Sequence, residues 1–151
     1  MHSVSESWLF WAILAAIFAA LTAIFAKVGV SGVNSNFATF LRTIIVVLAL
    51  GLLVWLTGKL QSLSTISAKT GIFLVLSGLA TGASWLCYFG ALQLGKVSQV
   101  APIDKLSVVL AAIIAAVFLG EKLSMTGWSG VGLIGLGAVL VALTWYAASE
   151  A

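Results

Sequence analysis

The residues best suited to bind a solute are a few charges placed inside long apolar runs. Arg42 lies within the second run, and Asp104 and Lys105 lie near the start of the fourth. A charged side chain in a membrane helix costs about 3 kcal/mol even on lenient insertion scales, so it usually faces a cavity or a partner. These three residues therefore predict a polar vestibule that binds an anionic or zwitterionic solute.

The same charges have a simpler interpretation. The long side chains of Arg42 and Lys105 could extend to the lipid headgroups while their stems stay in apolar surroundings. The carboxylate of Asp104 could complement the positive end of a helix dipole. The sequence leaves both interpretations open.

An aromatic face follows on the third apolar run. Thr81, Trp85 and Tyr88 are separated by four and three residues, which places them on one side of a helix. Trp and Tyr normally lie at membrane interfaces, where their N–H and O–H groups reach water. A Trp and a Tyr near mid-membrane therefore predict the wall of a solute cavity. The alternative is an aromatic pair that bonds to a neighbouring helix.

The sequence gives no sign of catalysis. It has no HExxH motif, no nucleophile elbow and no carboxylates paired at reactive distance. A single cysteine, Cys87, excludes an internal disulfide and a cysteine-based zinc site. The letters GVGLIG at 130–135 match a dinucleotide fingerprint, but that motif requires a preceding strand within a βαβ unit. We expect no catalytic residue, no cofactor and no metal site.

The elements that position these residues must be membrane helices. The 151-residue chain is 62% hydrophobic and 7% charged, whereas soluble proteins carry about 25% charged residues. A helix needs about 20 apolar residues to cross a bilayer, and the runs are too long and continuous for barrel strands. We predict an all-α membrane protein, a five-helix bundle forming one domain over 1–151, with spans at about 8–28, 37–57, 71–94, 100–119 and 127–146.

Charge gives a small bias in orientation. Lys59, Lys69 and Lys122 lie in loops on the N-terminal side, against Lys27 and Lys96 on the other side, which also holds the two cations inside helices. Because basic loops favour the cytoplasm, the N-terminus is predicted to be cytoplasmic, and the bias is small enough for insertion in both orientations. The net charge of +3 is scattered, so we expect contact with the lipid bilayer and no nucleic-acid partner.

Glycine and proline positions predict packing surfaces and a helix start. Gly78 and Gly82 form a GxxxG motif, which lets two membrane helices approach closely. Gly130 and Gly135 belong to a glycine-rich fifth run, which we interpret as a packing or dimerisation surface. Pro102 fits the first turn of the fourth span. Backbone N–H groups in a first turn have no acceptor within the helix, so the missing N–H of proline costs no hydrogen bond there.

Three stretches resemble the EamA-type drug/metabolite transporter superfamily, most closely its short five-helix members from bacteria and archaea. They are ALTAIFAKVGVSGVNSNFATFLRT (20–43), GASWLCYFGALQLGKVSQVAPIDKLSVVL (82–110) and AAVFLGEKLSMTGWSGVGLIGLGAVLVAL (115–143). The most specific part is VAPIDKLSVVL (100–110), followed by FLGEKL (118–123). Together the stretches touch all five spans.

The resemblance implies a secondary transporter that moves a small organic metabolite without ATP across the inner membrane of a prokaryote. Larger members have ten helices, in two inverted five-helix repeats around a central cavity. This chain would be one repeat and would need a partner, most simply a second copy inserted upside down. The resemblance also implies a cavity lined by Trp85, Tyr88, Asp104 and Lys105, with Arg42 from the second helix.

Two other functions remain open from the sequence. A non-transporting membrane subunit or assembly partner would depend on the glycine faces more than on the aromatic face. A small lipid-linked flippase would depend on the cations predicted to lie in one half of the membrane, which are Lys27, Arg42, Lys96 and Lys105.

Overall fold

The structure, a computed structural model, describes residues 7–149, with the side chains of the last helix described as far as Thr144. This part of the chain is helical and has no strand. Five segments are long and apolar enough to span a membrane, which confirms the five predicted spans. The helices are α1 (Trp8–Gly29), α2 (Ser35–Leu56), α3 (Ala68–Leu94), α4 (Val97–Asp104), α5 (Leu106–Ile114) and α6 (Met125–Ser149), with a 3-10 turn at Leu63–Thr65 and a π-helical turn at Ala115–Leu119.

Most helices begin two or three residues before the predicted starts, because polar capping residues precede the apolar run. Asn34 accepts hydrogen bonds through Oδ1 from the backbone N–H groups of Asn36 (3.0 Å) and Phe37 (3.3 Å), and so caps the start of α2. The Ser67 hydroxyl accepts a bond from the Thr70 N–H at the start of α3 in the same way. Hydropathy marks only the apolar part of each helix.

The chain divides into two compact units, Met1–Leu94 and Gly95–Ala151. In the first unit α3 packs against both α1 and α2. The buried side chains lie at the end of α1, the start of α2 and the end of α3, so the core of this unit sits at one end of the three helices. These residues are Ala23, Ala26, Val30, Thr39, Phe89 and Leu92. Most other large apolar side chains are exposed, as suits a surface in lipid.

The second unit contains a fourth span that is interrupted at Lys105, between α4 and α5. Pro102 lies in the second turn of α4, so the prediction of a first-turn proline is wrong, because the helix already begins at Val97. A proline in this position leaves the carbonyl four residues earlier without its helical donor. The helix ends two residues later, where the Lys105 N–H donates to the Pro102 carbonyl at 3.1 Å.

The second unit is held together by packing of α4 and α5 against α6. Ala138 on α6 is buried, and a Cβ added at Gly135 would lie 3.3 Å from Cγ2 of Val109. The predicted packing role of Gly135 therefore has a partner within this unit. The span ends at Gly120, whose φ of 69° is a left-handed conformation that favours glycine.

Candidate functional site

Arg42 and Trp85, both predicted as site residues, are in direct contact. Arg42 is the eighth residue of α2, about 10 Å along the helix from its start. Its guanidinium carbon lies 3.9 Å from the centroid of the Trp85 ring and 5.6 Å from that of Phe89, both on α3. This is a cation–π contact, and it holds the cation against the aromatic face of α3.

The guanidinium retains binding capacity after this contact. Nη1 of Arg42 is buried and has no hydrogen-bond partner among the described residues. The sequence has no Asp or Glu between residues 7 and 103, so the described part of the first unit contains no acid that could neutralise the cation. The cation–π contact contributes about 1–2 kcal/mol, which is less than the roughly 3 kcal/mol that a charge costs in a membrane helix.

An open cleft of about 530 Å³ lies beside the guanidinium in the first unit. Its lining comes from the second half of α1, the connection after it, the first half of α2, and Phe89. Thr22 and Arg42 are the polar side chains in this lining, and the others, including Phe25 and Ile45, are apolar or glycine. The cleft can therefore accept an apolar group next to one positive charge.

Thr81 and Tyr88, the other predicted residues of the aromatic face, lie on α3 with Trp85. The Thr81 hydroxyl donates to the Ser77 carbonyl of its own helix at 2.9 Å, and the residue is exposed. Tyr88 is half-buried on α3. Their part in binding a solute stays a prediction.

Lys27 has a structural role that the sequence did not reveal. Its Nζ donates to the carbonyl of Leu92, in the last turn of α3, where carbonyls lack helical donors. Nearby, Nε2 of Gln93 donates to the Val33 carbonyl at 2.8 Å. These bonds tie the end of α3 to α1 and to the connection before α2, and so fix the helix that carries Trp85. A lysine that follows an apolar run can equally act as a signal for membrane orientation. The sequence alone therefore does not predict this hydrogen bond.

Asp104 and Lys105 belong to the second unit, where they bind each other. Nζ of Lys105 lies 3.2 Å from Oδ2 of Asp104, and the side chains are 53% and 34% exposed respectively. Both side chains therefore remain partly accessible beside this contact. Lys105 is also the residue at which the fourth span breaks.

Three of the four predicted packing glycines have no neighbour within the described chain. A Cβ added at Gly78, Gly82 or Gly130 would meet no atom within 4 Å, in contrast to Gly135. Their predicted role at a dimer interface is untested and stays a prediction.

The functional groups of the described residues are of types that bind a solute. No group of three His, Cys, Asp or Glu side chains within residues 7–149 is placed to hold a metal ion. What the first unit presents is a guanidinium packed against an indole, with Nη1 unbonded, beside an apolar cleft.

Comparison with known proteins adds an independent line of information. The chain matches the EamA-like transporter family over residues 6–143. A curated protein from Sinorhizobium sp, described as "Uncharacterized transporter in cobO 3'region", is 55% identical over 140 residues, which cover 93% of this chain and 99% of that protein. No solved structure matches this chain.

Proposed function

Because the chain belongs to the EamA-like transporter family and has five helices able to span a membrane, we propose that it is a secondary transporter of a small organic metabolite. It works without ATP, in the inner membrane of a prokaryote, with the N-terminus cytoplasmic in the favoured orientation. The observation that carries the proposal is the Arg42 guanidinium, held on Trp85 beside an apolar cleft with Nη1 unbonded.

The solute binds where these groups meet in the first unit. Arg42 attracts a negative group, Trp85 holds the guanidinium in place, and the cleft accepts the rest of the solute. In the second unit, Lys105 exchanges its contact with Asp104 for the anionic group of the solute as it passes, and Asp104 then takes Lys105 back. Lys105 lies at the junction of α4 and α5, within the fourth span.

The transporter is a homodimer of antiparallel copies. A five-helix chain supplies one repeat of a fold that alternates access by moving two inverted halves about a central site. The near balance of cations on the two sides supports insertion in both orientations. Gly78 and Gly82, which meet no neighbour in the described chain, are available for a second copy.

The direct test is solute uptake by purified protein in liposomes without ATP. Liposomes with and without the protein are incubated in a metabolite extract, and their contents are compared by mass spectrometry. We expect one or more small organic solutes to enter only the liposomes that contain the protein. If none enters, or if entry requires ATP, the proposal is wrong, and the membrane-subunit alternative gains support.

Antiparallel insertion predicts that half of the copies expose the α2–α3 connection outside the cell. Cys87→Ser removes the native thiol, and Ser62→Cys places a reporter in that exposed connection. An impermeant maleimide added to whole cells is expected to label about half of the copies, because the orientation bias in charge is small.

Labelling after cell lysis provides the reference for complete reaction. Full protection or full labelling in whole cells would mean a single orientation. The antiparallel homodimer would then be wrong, and the second half of the transporter would be a parallel copy or a different chain.

A further inference from the structure

We propose that the Arg42 cleft is specific for monocarboxylates with an apolar body, and that it discriminates against amino acids, dicarboxylates and neutral analogues. This inference rests on the proposed transport function and names the solute class for the same site. The proposed specificity follows from the number and position of the charges around the cleft.

The charge of the site is a single positive one. Arg42 is the charged residue of the cleft lining, and the sequence from residue 7 to residue 103 supplies no acid. Nη1 is buried without a hydrogen-bond partner, so the protein does not saturate the guanidinium. Arg42 also lines the cleft, where its accessible N–H groups can donate to a bound acceptor. A planar carboxylate matches the fork of a guanidinium and receives two parallel hydrogen bonds from it.

Trp85 favours this geometry over a looser ion contact. The guanidinium carbon lies 3.9 Å from the ring centroid, so the indole packs against the cation and restricts its movement. A guanidinium presents its N–H groups in a planar fork that matches a carboxylate. Lysine in the same position would supply charge without the fork.

The remaining lining excludes a second charge. Apart from Arg42, the polar side chain of the cleft is Thr22, a neutral hydroxyl, and residues such as Phe25, Ile45 and Phe89 are apolar. The ammonium of an amino acid would meet no carboxylate, and a second carboxylate would meet no second cation. Either group would lose its water without a partner, which is costly.

The space is adequate for a small solute of this class. The cleft volume of about 530 Å³ falls in the range of roughly 300–1,000 Å³ typical of small-molecule sites. A benzoate-sized acid fits with its ring against the apolar lining and its carboxylate at Arg42. Benzoate therefore serves as the probe.

Equilibrium dialysis of radiolabelled benzoate against the full chain in lipid nanodiscs tests the inference. Empty nanodiscs give the correction for partition into lipid. Unlabelled hexanoate is expected to displace benzoate, whereas benzamide, phenylalanine and terephthalate should compete at least about tenfold less well, as expected when a charge-assisted bond is lost or a charge is buried unpaired.

Substitutions of Arg42 test whether its guanidinium is the group that binds benzoate. Arg42→Gln is expected to weaken benzoate binding at least about tenfold, and Arg42→Lys should lie between it and the unmodified chain, because a point charge remains but the fork is lost. Lys59→Gln removes the same charge from an exposed loop and should bind benzoate normally.

The outcomes separate this inference from the transport proposal. Equal competition by benzamide or phenylalanine, or normal benzoate binding by Arg42→Gln, overturns the inference even if Arg42→Gln folds poorly, because the competition series uses the unmodified chain. Uptake of other solutes without benzoate binding supports the transporter and overturns monocarboxylate specificity. Specific benzoate binding without uptake of any solute supports the site and overturns transport.

Discussion

Replacing Trp85 with alanine is expected to lower solute uptake about 30-fold while the chain still inserts into the membrane. The indole holds the Arg42 guanidinium at 3.9 Å, and a desolvated cation–π contact contributes about 2 kcal/mol, which corresponds to a factor of about 30. Without the ring, Arg42 loses its fixed position beside the cleft and can turn toward lipid headgroups. Uptake by reconstituted liposomes measures the loss.

A matched control separates this contact from a general effect of losing a tryptophan. Trp55 lies near the end of α2 with 66% of its surface exposed, so Trp55→Ala should leave uptake close to normal. Trp85→Phe retains a ring that binds the cation less strongly and should give an intermediate rate. Normal uptake by Trp85→Ala, with insertion confirmed by membrane fractionation, would contradict the assignment of Trp85 to the solute site.

The second unit provides a parallel test of the same proposal. Lys105→Ala leaves Asp104 without its partner at 3.2 Å and places a net negative charge at the break in the fourth span. An anionic solute would be repelled there, so we expect uptake to fall strongly although the chain still folds. Normal uptake by both Trp85→Ala and Lys105→Ala would exclude the proposed solute contacts altogether.

The five spans could be predicted because each depends on a local property, the hydropathy of about 20 consecutive residues. Asn34 was also predictable, since a cap acts on N–H groups two or three residues away. The turn at Lys105 was not, because no residue pattern in this run indicates it. The helix already begins at Val97, so Pro102 lies in its second turn, and the helix continues past the proline to Asp104.

The candidate site was predicted as residues but not as contacts. Arg42 and Trp85 were each conspicuous as a polar or amphipathic group in an apolar run. Their pairing depends on how α2 lies along α3, over a separation of more than 40 residues, and no pattern within either run encodes that register. The Lys27 bond to the Leu92 carbonyl has the same origin. A lysine at a helix end is common, and its acceptor is fixed only by tertiary packing.

Two glycines of α6 should respond in opposite ways to leucine, although both lie in the same glycine-rich sequence. Gly135→Leu would place its Cβ 3.3 Å from Cγ2 of Val109 on α5, and overpacking of this kind typically costs about 1–3 kcal/mol. We therefore expect a lower free energy of unfolding, measured by denaturant titration in detergent micelles. An unchanged free energy would contradict the close approach of α5 and α6.

Gly130→Leu is the matched control, because a Cβ at Gly130 meets no described atom within 4 Å. Replacing glycine within a helix by a strong helix former contributes up to about 1 kcal/mol, so the unfolding free energy should stay constant or rise. If Gly130 lies at a contact between copies, the same variant will lose dimer cross-links in the membrane while the single chain keeps its stability. Retained cross-links would instead place the dimer interface elsewhere, with the Gly78 and Gly82 face of α3 as the next surface to substitute.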